Sequence, residues 1–150
     1  MTEKDLNQRQ VLRLRRLLPA TPQEVFDAWT DADDMREWMC PDTTSLVSVQ
    51  LEVRIGGRFR IVMRDDTSDI VHTGEYREIR PPERLVFTWC SRGTQNTNTL
   101  VTVELHPHGK ETELVLTHEL LPDAEAARSH GDGWRSIVEK LARHLGRAMP

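Results

Sequence analysis

Cysteine is nearly absent. Cys40 and Cys90 stand fifty positions apart, with no CxxC and no nearby histidine pair in zinc-ligand spacing, so neither a disulfide framework nor a thiolate metal site is expected and both are read as reduced thiols. No apolar run approaches the roughly 18 residues of a bilayer-spanning helix, and the opening MTEKDLNQRQ lacks the basic start and apolar core of a secretion signal. The cytoplasm is the expected compartment, without membrane insertion. Basic charge is not in excess: 20 Lys and Arg stand against 24 Asp and Glu, the net charge is -4, and the arginines are scattered. No basic stripe exists to neutralise a phosphate backbone, which sets nucleic acid aside as a partner. There is no GxSxG, no HExxH and no carboxylate pair whose spacing demands a catalytic reading.

What the chain does have is periodic apolar patterning. Its 150 residues, 37% hydrophobic and 29% charged, suffice for one core, since a chain of this size buries roughly 68–70% of its unfolded surface. No repeat, linker or composition shift divides it, so residues 10–150 are read as a single domain behind a flexible polar stretch over 1–9. Val11, Leu12, Leu14, Leu17 and Leu18 lie among arginines in a segment best placed as a first strand, which Pro19 and Pro22 end. Pro22 then takes the favoured first position of a helix over about 22–30, with Val25, Phe26 and Trp29 on one face. A second short helix follows, capped by Asp31 or Asp33, with Met35, Trp38 and Met39 apolar and Pro41 closing it.

From Thr44 to about Leu121 the period becomes two, as in Val47/Val49/Leu51/Val53, Phe59/Ile61/Met63, Leu85/Phe87/Trp89, Val101/Val103/Leu105 and Leu114/Leu116/His118. Turns are expected at Gly56-Gly57, Asp65–Asp69, Pro81-Pro82, Ser91–Asn98 and His106–Lys110. Six antiparallel strands result, and the N-terminal strand makes about seven. Trp134, Ile137, Val138, Leu141 and Leu145 share the face of a long C-terminal helix, with Arg143, His144 and Arg147 at the negative end of its dipole. Its start is open between Asp123 and Asp132, because Ser129–Gly133 reads equally as a loop.

Local patterns in this order resemble the Hsp90-ATPase-activator-homologue (AHSA1-type) branch of the START-like, or SRPBCC, superfamily: Pro22 with Val25–Asp31, Trp38 before Pro41, Gly56–Phe59, Gly74–Ile79 before Pro81-Pro82, Leu85–Trp89, Thr112–His118 and Gly133-Trp134. The resemblance spans about residues 10–146 and rests on joint order and spacing. It implies an α+β helix-grip (START/Bet v 1-like) fold, a curved antiparallel sheet around the long C-terminal helix with two short helices after the first strand. It also implies a cavity between sheet and helix that in many relatives accepts hydrophobic ligands.

Trp38, Met63, Tyr76, Phe87, Trp89, His118 and Trp134 are the candidate ligand-binding residues, each equally readable as ordinary core. His118 ends a strand whose inward residues are Leu114 and Leu116, where an imidazole either bonds a polar ligand head, titrating near neutral pH, or is a satisfied core residue. His72 and Tyr76 complete a conceivable polar group with it. No metal and no cofactor are expected: His106 and His108 lack a third ligand, and Asp31, Asp33 and Asp34 lack the glycine and closing glutamate of a calcium loop. Asp65, Asp66 and Asp69 read as a solvated turn, Gly56-Gly57 as a hairpin, and Arg9, Arg13, Arg15 and Arg16 as a solvated sheet face or edge.

The leading functional expectation is therefore binding of a small hydrophobic, lipid-like, aromatic or polyketide-like molecule in a chamber of about 300–1,000 Å³. An enzymatic alternative uses the same cavity with His118, Tyr76 and Glu75 as acid or base. A protein-interaction or chaperone-regulatory role is the third reading. The eukaryotic activators carry a separate N-terminal domain that the ten polar residues here do not supply.

Overall fold

A computed structural model describes residues 9–147. The expected flexible stretch lies, over residues 1–8, outside the described residues. The chain opens with β1 (Gln10–Leu18), whose residues alternate so that Leu12, Leu14 and Leu18 turn inward while Arg13 and Arg15 stay outside. Arg16 falls on the other side of the strand from Arg13 and Arg15 but stays part-exposed, its guanidinium pairing with Glu139 at 2.6 Å. Next comes α1 (Pro22–Thr30), started by Thr21, whose hydroxyl caps the Glu24 amide while the Glu24 carboxylate returns to the Thr21 amide. Its Val25, Phe26, Ala28 and Trp29 are buried. Asp31 caps α2 (Ala32–Met35), accepting from the amides of Asp33 and Asp34. This helix is shorter than the spacing of Met35, Trp38 and Met39 predicts, because it ends at Met35 and a turn carries Trp38 and Met39 into the core.

The sheet follows as β2 (Ser45–Leu51), β3 (Arg58–Arg64), β4 (Asp69–Arg80), β5 (Arg84–Trp89), β6 (Thr99–His108) and β7 (Glu111–Leu121). All seven strands form one antiparallel sheet in the order β1-β7-β6-β5-β4-β3-β2, so β1 and β2 are the edges. The last hairpin is tighter than expected: β6 pairs with β7 as far as His108↔Glu111, leaving the turn to Gly109 and Lys110.

At Gly74 in β4 an added methyl would sit 2.0 Å from the Thr88 carbonyl oxygen and 2.3 Å from the Phe59 ring, and the register against β5 shifts further on, between Tyr76 and Glu78. Only hydrogen fits there. The missing side chain leaves room for the Phe59 ring against β4.

The open question at the C-terminus resolves toward one helix, α3 (Ala124–Arg147), unbroken through Gly131 and Gly133. Asp123 starts it, its carboxylate accepting the Ala126 amide at 2.8 Å. A buried stripe of Ala126, Trp134, Ile137, Val138, Leu141 and Leu145 lies against the concave side of the sheet and outweighs the roughly 1 kcal/mol that each helical glycine costs. At the helix end Arg143 reaches Asp42 at 3.9 Å and His144 bonds the Asp34 carboxylate. The Arg147 side chain lies outside the described set. No helix among the described residues is long and apolar enough to cross a membrane.

Candidate functional site

The concave side of the sheet is filled with rings. Trp29 from α1, Trp38 from the following turn, Phe87 and Trp89 from β5 and Trp134 from α3 make contacts that include Trp29–Trp38 at 4.8 Å and Trp89–Trp134 at 5.1 Å between centroids. Phe59 bridges to Tyr76 at 5.8 Å and to Phe87 edge-on at 5.5 Å. All of these side chains are buried.

The chamber of several hundred cubic ångströms expected between sheet and helix is not what this packing leaves. Among the described residues, two spaces border this ring layer. The inner one, bounded by Trp29, Met35, Phe59, Tyr76, Phe87 and Trp89 among others, measures about 10 Å³. A water needs at least about 10–15 Å³ and two or more polar partners, so this wholly apolar gap suits neither water nor guest. The outer space, about 190 Å³, opens between Met63, His72 and Trp89 on the sheet and His130, Trp134 and Ile137 on α3. A larger cleft of about 540 Å³ lies on the opposite, solvent face of the sheet among Arg58, Arg60, Glu75 and Arg77.

The sequence-predicted residues divide accordingly. Met63, Trp89 and Trp134 border the 190 Å³ pocket. Tyr76 and Phe87, with Trp89 again, border the small gap. Trp38 is fully buried and borders neither space.

His118 is also fully buried, and both its ring nitrogens are occupied. The Trp134 indole, which can only donate, gives its hydrogen to His118 Nδ1 at 3.0 Å. The imidazole is therefore protonated on Nε2, which donates to Thr99 Oγ1 at 2.7 Å, and the threonine hydroxyl passes its own hydrogen to the Trp89 carbonyl at 2.6 Å. This chain runs from α3 through β7 and β6 to β5 with every donor matched to an acceptor. Burial, reinforced by the charge of nearby His130, pushes the His118 pKa down to about 3, so it stays neutral at physiological pH. The expectation of a protonation change near neutrality is corrected on that ground.

The His72–Tyr76–His118 group does not assemble. The His72 ring stacks near Trp89 at 4.9 Å, Tyr76 lies among Phe59 and Phe87, and His118 meets His130 and Trp134 at 5.0 and 6.2 Å. Burial pushes the Tyr76 phenol pKa up. Glu75, offered beside Tyr76 as a catalytic group, alternates to the solvent face, where it approaches Arg77 at 3.6 Å. His118, Tyr76 and Glu75 thus share no common space.

Sequence reasoning missed His130, because it fell in the stretch that read as a loop. The signal was its place four residues before Trp134 and four after Ala126, on the buried stripe of α3. Three of the four indoles, those of Trp29, Trp38 and Trp89, bury their N–H without a partner, each a cost of about 1–3 kcal/mol that the ring packing must offset.

A seven-stranded antiparallel sheet curved over a C-terminal helix, with two short helices after the first strand, defines an α+β helix-grip domain. Within that class the chain belongs to the family described as Activator of Hsp90 ATPase homolog 1-like protein, whose sequence profile matches residues 19–146. Among solved structures, the AHSA1 (SPO3351) protein of Silicibacter pomeroyi is 25% identical, with a TM-score of 0.80 over 93% of this chain and 99% of that one. Protein CV1439 of Chromobacterium violaceum is 23% identical, with a TM-score of 0.80 over 90% and 96%. CalU16 of Micromonospora echinospora is 22% identical, with a TM-score of 0.71 over 94% and 79%. The latter two likenesses speak for the fold alone. Comparison with curated proteins gives no match.

Proposed function

We propose that this domain binds a small, mainly apolar molecule in the 190 Å³ pocket between the sheet and α3. The observation that carries the reading is the pocket itself: it lies where the helix grip opens, and Met63, Trp89, Trp134 and Ile137 give it apolar and aromatic walls. Its size falls below the roughly 300–1,000 Å³ usual for drug-sized ligands. A guest of about one ring suits it better than a long acyl chain or a polyketide. Of the sequence-predicted residues, Met63, Trp89 and Trp134 would touch such a guest, while Trp38 and His118 would support the wall from behind.

The test is thermal unfolding with a panel of single-ring hydrophobic compounds, followed in parallel by tryptophan fluorescence, since Trp89 and Trp134 border the pocket. A compound at a hundredfold its Kd should stabilise the protein by about 2.7 kcal/mol. A Gly133→Met variant, which projects a side chain from α3 into the pocket, should lose that response while remaining folded. If no compound shifts either signal, or if Gly133→Met responds as the parent does, the reading fails.

A further inference from the structure

Two imidazoles border the pocket, and the backbone fixes how each carries its proton. The His72 Nδ1 lies 3.3 Å from the Ile61 carbonyl oxygen, and the His130 Nδ1 lies 2.8 Å from the Ala126 carbonyl oxygen. A carbonyl only accepts, so both rings are protonated on Nδ1 and carry their lone pair on Nε2; the His72 ring also meets the Ile70 backbone, while no hydrogen bond reaches the His130 Nε2 among the described residues. Burial lowers the pKa of each, and with a contribution from the charge of His130 that of His72 falls to about 4. At neutral pH the two rings thus offer the pocket acceptors and no imidazolium, beside the hydroxyls of Thr44, Ser91 and Ser129.

The rest of the wall narrows what can meet them. Arg92 is the one charged residue that borders the pocket among the described residues, and its guanidinium is already held by Asp65 at 2.8 Å and by the Ser68 hydroxyl at 2.8 Å. An anion would find no free cation and two lone pairs. A cation would have to shed water with no carboxylate in the wall to replace it. A neutral donor on an apolar body satisfies both conditions, and the faces of Trp89 and Trp134 favour an aromatic body.

We infer that the pocket selects neutral hydroxylated aromatics, phenols of about one ring, whose hydroxyl donates to the Nε2 of His72 or His130. This rests on the proposed binding function and specifies its ligand class. Gly93 supports the arrangement: an added methyl there would meet His130 Cε1 at 3.3 Å, so glycine lets the ring edge come close to the Arg92–Thr94 turn that forms the pocket rim.

The experiment compares para-cresol, para-xylene and para-toluate in the parent protein and in a His72→Leu/His130→Leu double variant, by fluorescence titration. Para-xylene replaces the hydroxyl with a methyl of similar size, so the ratio of the two Kd values reports the hydroxyl alone. That ratio should shift against para-cresol by about tenfold in the double variant, the scale of one buried hydrogen bond. In the parent protein, the imidazole nitrogen NMR resonances should show Nδ1–H tautomers, and para-cresol but not para-xylene should move an Nε2 signal; this readout does not depend on the variant folding. An unchanged ratio with unmoved Nε2 signals overturns the inference and leaves pocket binding intact. Tighter binding of para-toluate than of para-cresol also overturns it, by assigning the site to Arg92 and an anion. Binding of none of the three removes the underlying function as well.

Discussion

At the scale of single residues, the chain Trp134–His118–Thr99–Trp89 explains why a histidine and a tryptophan sit in the core. Trp134 packs on Trp89 and Trp29 and is 2% exposed. Trp134→Ala should therefore cost about 3–5 kcal/mol. Trp134→Phe keeps most of the ring but leaves His118 Nδ1 without its donor, and should cost about 1–3 kcal/mol in urea unfolding. The buried imidazoles also set an acid limit. Unfolded histidines take up protons near pH 6.5, whereas folded His118 and His72 do so only near about 3 and about 4. In between, the unfolded state holds more protons, so stability is full above pH 6.5 and falls as the pH drops toward 4. Each histidine contributes a slope of up to about 1.4 kcal/mol per pH unit. In urea titrations at stepped pH, His72→Gln should remove about one such share of the slope, and an unchanged slope would contradict the neutral burial of His72.

At the scale of elements, two glycines make opposite predictions. Gly131 lies within α3, where an added methyl meets only the flexible Arg135 guanidinium, at 3.5 Å or beyond. Gly131→Ala should stabilise the protein by about 0.5–1 kcal/mol. Gly74→Ala drives a methyl into the Thr88 carbonyl and the Phe59 ring, and should cost about 1–3 kcal/mol or more in the same unfolding assay. Most elements were legible in the sequence, because period-two alternation, the Pro22 helix start and the stripe from Trp134 to Leu145 are local signals. The N-terminal half of α3 was not, since Gly131 and Gly133 look like breakers until the sheet that buries Ala126 and Trp134 is in place. The pairing of Arg16 was equally hidden, as its partner Glu139 lies on an element more than a hundred residues away.

At the scale of the whole molecule, what the sequence could not disclose is volume. Trp38, Tyr76, Phe87 and His118 were all legible as inward-facing, but whether inward residues interlock or stand apart depends on how the strands and helices close on one another. Here they interlock over most of the concave side, leaving about 10 Å³ within the ring layer, and stand apart toward one end, leaving about 190 Å³. The central claim is that this end is where a guest is held. Its most direct measurement is a set of intermolecular NOEs between an unlabelled single-ring ligand and the labelled methyl groups of Met63, Ile70 and Ile137, which border the pocket, with Leu51 and Leu85 of the inner gap as controls. Contacts to Met63, Ile70 and Ile137, and none to Leu51 or Leu85, are the predicted result. Contacts to the inner pair alone, or none at saturating ligand, would contradict it.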